Sequence, residues 1–96
     1  MIYFTVHCDP LPGKEEDLDR LLANNAKSYW LAQPGVSSFH VYGDKLVGWP
    51  ERTIMIEVND LTALQPILES LERRQVRKEF MNLVDRVESQ IQDVVV

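Results

Sequence analysis

The fold is decided by residues 36–58, VSSFHVYGDKLVGWPERTIMIEV. Within this stretch, residues 36–42 and 52–58 are rich in β-branched and aromatic side chains, and their two alternating sets differ in polarity. This pattern is typical of strands whose two faces differ. The connection, residues 43–51, contains two glycines and Pro50 and is longer than a tight turn. The stretch therefore predicts two strands joined by an extended hairpin loop.

A helix is predicted on the N-terminal side of this hairpin. Residues 14–33 repeat apolar side chains at helical spacing, and acidic side chains fill the first turn, where the helix dipole favours them. Pro34 and Gly35 end the helix. The face that we expect to be buried consists of Leu18, Leu21, Leu22, Asn25, Tyr29 and Ala32.

A second helical region is predicted after the hairpin, capped by residues 59–60 (Asn-Asp). Pro66 lies inside it, lacks a backbone donor and clashes with the preceding turn. We therefore expect a short helix, a bend at Pro66 and a longer helix. The apolar positions of this region are Leu61, Leu64, Leu68 and Leu71, followed by Val76, Phe80, Leu83, Val84 and Val87.

The two ends of the chain complete the pattern. Residues 2–8 (IYFTVHC) predict a first strand, followed by a rigid loop at residues 9–13, and residues 88–96 predict a fourth strand. The order β-α-β-β-α-β is the split ferredoxin-like arrangement. We expect one α+β domain over residues 1–96, with an antiparallel four-stranded sheet in the order 4-1-3-2 and both helices on one face.

Because side chains alternate along a strand, each strand can be sorted into two sets. One set is almost wholly apolar and should form the core under the helices: Ile2, Phe4, Val6, Cys8, Phe39, Val41, Ile54, Ile56, Val58, Ile91 and Val95. We call the other side the mixed face: Tyr3, Thr5, His7, Ser38, His40, Tyr42, Thr53, Met55, Glu57, Gln90, Gln92 and Val94.

The mixed face is too aromatic for a solvent surface and too polar for a core. Polar groups buried without partners are costly, and large exposed apolar surfaces mark interaction sites. Packing against a second copy, with a ligand pocket between the two sheets, satisfies both kinds of side chain. An open sheet with an ordinary polar outer face is the alternative.

Composition limits the choice of partner and compartment. The net charge is -5, and the one basic cluster, residues 73–78, is interleaved and flanked by glutamates. This pattern favours a solvated helix face over a phosphate-binding patch, and it argues against nucleic acid as a partner. With one cysteine, Cys8, an internal disulfide is impossible. No apolar run is long enough to span a membrane, so we expect a cytoplasmic protein with no membrane partner.

Several short motifs recur along the chain: residues 12–15 (PGKE), 25–27 (NAK), 33–36 (QPGV) with Phe39, Val41 and Tyr42, and 52–60 (RTIMIEVND). In their order and spacing they resemble the dimeric α+β barrel superfamily, specifically its antibiotic-biosynthesis-monooxygenase-like group. The resemblance implies a homodimer whose sheets face each other. The superfamily includes cofactor-free oxygenases of polyaromatic substrates, haem-degrading enzymes, isomerases and non-enzymatic proteins, so the fold does not assign a function. Haem degradation in related enzymes uses a histidine in the second helical region, and this chain has none after His40.

Two histidines and a carboxylate on the mixed face, His7, His40 and Glu57, raise the question of a metal site. In the predicted sheet His7 lies level with Thr53 and Glu57 lies level with Tyr3. Four residues along a strand span about 13 Å, too far for shared coordination within one chain. We therefore predict no metal and no cofactor, with a site shared across a dimer axis as the exception.

His40 is the candidate general base, because it should lie mid-strand within the pocket, with Tyr42 and Tyr3 as catalytic partners. A histidine that only bonds Tyr42 or a backbone carbonyl is the alternative. The other predicted pocket residues are Thr5, His7, Asn25, Ser38, Met55 and Glu57.

Four other residues have structural interpretations beside functional ones. Asn25 would bond a neighbouring backbone group, and Cys8 would be a small core residue. Trp30 and Trp49 would be pocket walls or, preferably, dimer contacts. Three functions remain open: a cofactor-independent monooxygenase acting on a small apolar or aromatic molecule, a non-catalytic binding or assembly module, and a small-molecule isomerase.

Overall fold

Four strands form one antiparallel sheet in the order β2-β3-β1-β4 in the computed structural model, which describes residues 1–46 and 48–96. The helices cover one face, so the predicted α+β ferredoxin-like fold and strand order are confirmed. The elements are β1 (Ile2–Pro10), α1 (Glu15–Leu21), a π-helical segment (Leu22–Ala26), α2 (Lys27–Leu31), β2 (Val36–Gly43), β3 (Arg52–Val58), α3 (Leu61–Glu69), α4 (Leu71–Met81) and β4 (Val84–Asp93).

The core lies between the sheet and the helices, and strand alternation predicts most of it. Residues opposite each other across an antiparallel pair point to the same face, and Phe4 lies opposite Ile56. Both side chains are buried. The predicted core residues Ile2, Cys8, Phe39, Ile54 and Val58 are also buried, and Val6 and Val41 are partly buried.

The fourth strand begins earlier than predicted. Val84 and Val87, assigned from sequence to a helix, pair in β4 with Pro10 and Cys8. Their spacing of three residues fits a helix and not the two-residue alternation of a regular strand. A β-bulge opposite Asp9 and Pro10 lets both valines lie on the core face of β4. The strand ends at Asp93, so Val95 lies beyond it and is exposed. Ile91 keeps the predicted face, opposite Phe4, but is 48% exposed because β4 is an edge strand.

The predicted buried stripe of the first helical region is partly correct: Leu21 and Tyr29 are partly buried against the core, but the second half of the stripe is shifted. Leu18 and Leu22 are buried as expected, but Ala26 and Trp30 follow them, and Asn25 is exposed. The π-helical segment accommodates an extra residue, which rotates the following side chains relative to a regular α-helix. Ala32 is also exposed instead of buried.

The break in the second helical region is real, but its predicted position at Pro66 is wrong. Pro66 lies inside α3, and the two helices separate at Ser70, whose backbone is extended. The Ser70 hydroxyl accepts a hydrogen bond of 3.1 Å from the Arg73 amide, which caps α4. Asp60 caps α3 as predicted, accepting from the Ala63 amide at 2.8 Å.

The burial of Cys8 in this core can be tested by measuring stability as a function of pH. Burial, aided by nearby Asp9, raises the pKa of its thiol to about 11. A group whose folded pKa is raised contributes stability below its unfolded pKa and loses it as the pH rises through the folded pKa. We therefore expect the unfolding free energy to fall between about pH 9 and pH 11 more steeply in the native chain than in Cys8→Ala. Urea titrations across this pH range measure the unfolding free energy. If it falls equally steeply with pH in the two proteins, the raised pKa of Cys8 is contradicted.

Candidate functional site

The mixed face is assembled in the predicted register. Tyr3 lies opposite Glu57, and His7 lies opposite Thr53. On the other side of β3, His40 lies opposite Met55. The side chains therefore form level rows across the sheet: Gln92, Tyr3, Glu57 and Ser38; then Gln90, Thr5, Met55 and His40; then Glu88, His7, Thr53 and Tyr42.

One end of the mixed face carries a polar cluster around Glu57. A β-bulge between Val36 and Ser38 brings the Ser37 hydroxyl to 2.8 Å from a Glu57 carboxylate oxygen, to which it donates. The charge of Glu57 raises the pKa of Tyr3 opposite it. Ser37 was not predicted as a site residue because the bulge that turns it towards Glu57 leaves no clear signal in the sequence.

The two histidines of the mixed face have different neighbours. The His40 ring stacks on Tyr42 with centroids 6.2 Å apart and is exposed. His7 lies one row further along, with Nδ1 3.5 Å from the Thr53 hydroxyl. The register keeps His7 two rows from Glu57, as the sequence predicted. Within residues 1–46 and 48–96, no three His, Cys, Asp or Glu side chains are grouped to hold a metal.

The loop between β2 and β3 extends over the other end of the mixed face. Asp9 accepts a hydrogen bond of 2.9 Å from the Glu51 amide, which anchors the loop to β1. Further along the same edge, the Arg86 guanidinium of β4 lies 3.9 Å from the centroid of the Trp49 ring. Trp49 is therefore an end wall of the mixed face within the single chain.

Eight of the nine predicted site residues share the mixed face, and Asn25 does not. Asn25 lies in the π-helical segment, exposed on the helical layer on the other side of the sheet. Asn25 does not line the mixed face, because the helical layer packs against the other face of the sheet. The remaining eight lie on an uncovered sheet surface, where Thr5 is buried by its neighbours and His40 and Tyr42 are exposed.

A more enclosed cavity lies on the opposite side of the sheet, between it and α4. Its volume is about 80 Å³, about half the ~150 Å³ of an engineered apolar cavity that admits benzene. Because the cavity is open to solvent at its mouth, a ligand of ring size would lie partly between the walls and partly in the mouth. The walls are mostly apolar and aromatic, and the mouth is polar. The apolar lining residues are Phe4, Val6, Leu22, Ala26, Trp30, Phe39, Ile54, Ile56, Val76, Phe80, Met81 and Val87, and the polar ones are Arg73, Arg77 and Ser89.

The arginines of this cavity lie on the face of α4 that points to the sheet. Arg73, Val76, Arg77 and Phe80 follow one another at spacings of three, one and three, which places them on one side of a helix. Arg73 is partly buried, and this burial, followed by the neighbouring charge of Arg77, lowers its pKa. Two cations thus lie side by side at the mouth of an apolar cavity.

This site was not predicted from the sequence, which assigned residues 73–78 to a solvated helix face. Arg74, Arg77 and Lys78 are exposed as that assignment predicts, and Arg73 is partly buried. None of the four ion pairs between described side chains involves α4. A usable signal was present, since Arg73 and Arg77 share the helical face of Phe80, where an amphipathic helix normally places apolar residues.

The chain is similar in structure to known proteins, but comparisons of its sequence with family models and curated proteins find no match. No helix formed by the described residues is long and apolar enough to cross a membrane.

Three solved structures illustrate the likeness. An Arabidopsis thaliana protein is 11% identical with a TM-score of 0.88, covering 100% of this chain and 97% of its own. SnoaB, a cofactor-independent oxygenase from Streptomyces nogalater, is 11% identical with a TM-score of 0.81, covering 99% and 93%. A dabb family protein with a ferredoxin-like fold from Mesorhizobium loti is 15% identical with a TM-score of 0.79, covering 99% and 97%. The chain therefore has the ferredoxin-like α+β fold of these proteins, as its motifs predicted.

Proposed function

We propose that this protein binds a small, largely apolar or aromatic molecule in the cavity between the sheet and α4. The observation that carries the proposal is the cavity itself, a space of about 80 Å³ with apolar walls and a polar mouth. Ligand sites commonly combine such walls with a few polar groups that orient the ligand. The walls include Trp30 and Phe4, whose ring centroids are 5.6 Å apart, so an aromatic ring would meet aromatic surface.

The finer proposal is cofactor-independent oxygenation of such a molecule. In that reaction an electron-rich substrate methylene loses a proton, the carbanion passes electrons to O₂, and the C–H₂ group becomes C=O. One oxygen atom enters the product and the other leaves as water, so the substrate supplies all four electrons. The support is the shared fold with SnoaB, a cofactor-independent oxygenase, together with an apolar cavity that excludes water from the carbanion.

A non-catalytic binding role is the second candidate, and the lining residues favour it. Among the described residues that line the cavity there is no carboxylate, imidazole or phenol to act as a general base. A substrate oxidised here would therefore have to lose its proton before it enters the cavity, or to a group outside the lining residues. His40, Tyr42 and Tyr3 become the catalytic candidates only if the ligand is held between two mixed faces.

We also propose that two copies pair through the mixed face in the cytoplasm, with the Val94, Val95 and Val96 tail contributing. The tail is exposed in the single chain, Tyr42 is 53% exposed, and Met55 is partly exposed beside them. Pairing would cover these side chains while leaving the cavity under α4 accessible on the outer side. The mixed face would then serve assembly and the cavity would serve binding.

Two variants distinguish the cavity from the mixed face as the binding site. Val76→Trp places a larger side chain in the cavity wall, whereas His40→Ala changes only the mixed face. We expect Val76→Trp to weaken binding of 4-methylbenzyl alcohol about tenfold or more, and His40→Ala to leave it within about twofold. Calorimetric titration measures both dissociation constants.

The opposite pattern, with binding lost in His40→Ala and kept in Val76→Trp, would move the site to the mixed face. If activity accompanies that pattern, His40→Ala should lower turnover by about 100-fold or more, as expected for a lost general base. Oxygen consumption with electron-rich aromatic substrates separates the two candidate functions, because a binding module consumes none.

A further inference from the structure

The mouth of the cavity under α4 holds two positive charges with no acidic partner among the described residues. Described side chains form four ion pairs, which involve Lys14, Arg20, Arg52 and Arg86. Within the same part of the chain, neither Arg73 nor Arg77 is in an ion pair, and neither guanidinium donates a hydrogen bond. Arg73 is partly buried, whereas Arg77 is exposed, as are the acidic residues of this region, Glu69, Glu72 and Glu79.

This arrangement is unfavourable in the free protein. A partly buried guanidinium loses hydration, and a second cation beside it adds repulsion. The lowered pKa of Arg73 has these two causes in that order. The helical face that places the pair against the sheet also carries Phe80, which is 9% exposed. An anion at the mouth would relieve both costs, whereas an uncharged ligand would relieve neither.

The geometry limits what kind of anion fits. The cavity extends from the arginines into apolar walls, so the charged group must be attached to an apolar body. A guanidinium presents a planar fork of N–H donors that matches a carboxylate. Ser89, on β4 at the same cavity, adds a hydroxyl that can donate to a second oxygen.

We propose that the ligand of this cavity is a small aromatic carboxylate, whose ring lies among the apolar walls and whose carboxylate is bound by Arg73 and Arg77. This inference rests on the proposed function, since it names the chemical class of the molecule bound at that site. It also identifies Arg73 and Arg77 as the residues that select an anionic ligand over a neutral one of the same shape.

The test compares two probes of one shape, 4-methylbenzoate and 4-methylbenzyl alcohol, on the full chain. We expect 4-methylbenzoate to bind about 10- to 100-fold more tightly, the scale of a hydrogen-bonded charge. Arg73→Gln and Arg77→Gln should each remove most of that preference while leaving the affinity for the alcohol nearly unchanged. Raising the salt concentration should weaken only the carboxylate.

Arg74→Gln is the matched control. Arg74 is an exposed arginine of the same helix, and it is not among the residues lining the cavity. The variant removes one positive charge and should keep the full preference for the carboxylate. Circular dichroism melting of all three variants establishes that each remains folded before its affinity is compared.

The outcomes separate this inference from the proposed function. If the alcohol binds and the carboxylate binds no more tightly, the anion site is refuted and small-molecule binding stands. The anion site is likewise refuted if Arg74→Gln removes the preference as strongly as Arg73→Gln. If neither probe binds the folded native chain at millimolar concentration, both proposals fail for single-ring ligands.

Discussion

Replacing Trp30 by alanine is expected to lower the unfolding free energy by about 3–5 kcal/mol, the range for truncating a large aromatic side chain in a core. Trp30 is 6% exposed, and its ring lies 5.6 Å from that of Phe4 and 5.7 Å from that of Tyr29. The change removes both contacts and enlarges the adjacent cavity. Urea unfolding followed by far-ultraviolet circular dichroism measures the loss.

Leu31→Ala is the control for Trp30→Ala. Leu31 is the next residue of α2 and is 42% exposed, so its truncation should cost less than about 1 kcal/mol. A regular α-helical stripe through Leu18, Leu22 and Tyr29 would place Trp30 away from the core. Similar losses for Trp30→Ala and Leu31→Ala would therefore contradict the change of phase introduced by the π-helical segment.

Under the proposed pairing through the mixed face, replacing Met55 by aspartate is expected to convert the dimer to a monomer. Met55 lies in the middle row of the mixed face, between Thr5 and His40. In a two-fold symmetric interface the substitution buries two like charges, one from each copy. Because an unpaired buried charge costs several kcal/mol, the dissociation constant should rise at least about 100-fold. Light scattering across micromolar concentrations measures the mass.

Leu71→Asp is the matched control for the mixed face. Leu71 is 78% exposed at the start of α4, on the helical side of the sheet, so aspartate there should leave the oligomeric state unchanged. A native chain that is already a monomer at micromolar concentration would refute pairing through the mixed face. So would a Met55→Asp variant that remains a dimer.

The fold was largely predictable because its signals are local. The strand of residues 52–58 has the predicted bounds, and the alternation of Phe4, Ile54 and Ile56 identified the covered face of the sheet. Side chains of a strand alternate with a period of two whatever surrounds them, so sequence alone places them on one face or the other. The resulting rows of the mixed face, including His40 opposite Met55, followed from pairing the strands.

The errors occurred where helical geometry departs from the regular pattern. Asn25 was predicted to be buried and is exposed, whereas Trp30 was predicted outside the buried stripe and is buried. The π-helical segment causes both differences, because it changes the phase of the helix in a way that no periodicity rule anticipates. Pro66 remained within α3, and the break lies at Ser70, where a hydroxyl hydrogen-bonded to the Arg73 amide caps the next helix. Val84 and Val87 lie in a strand because long-range pairing with β1, which includes a β-bulge, outweighed a local spacing that fits a helix.

The sequence by itself determined the order of elements, the sheet topology and the membership of the mixed face, because these follow from local periodicity and short connections. Only the tertiary structure decided where a ligand has room. The cavity exists because α4 packs over the sheet, with Phe80 buried, Arg73 partly buried and the exposed Arg77 at the rim. In sequence the same arginines share the helical face of Phe80, but the local pattern does not show how much space separates that face from the sheet. The size of this space is a property of packing rather than of the local pattern.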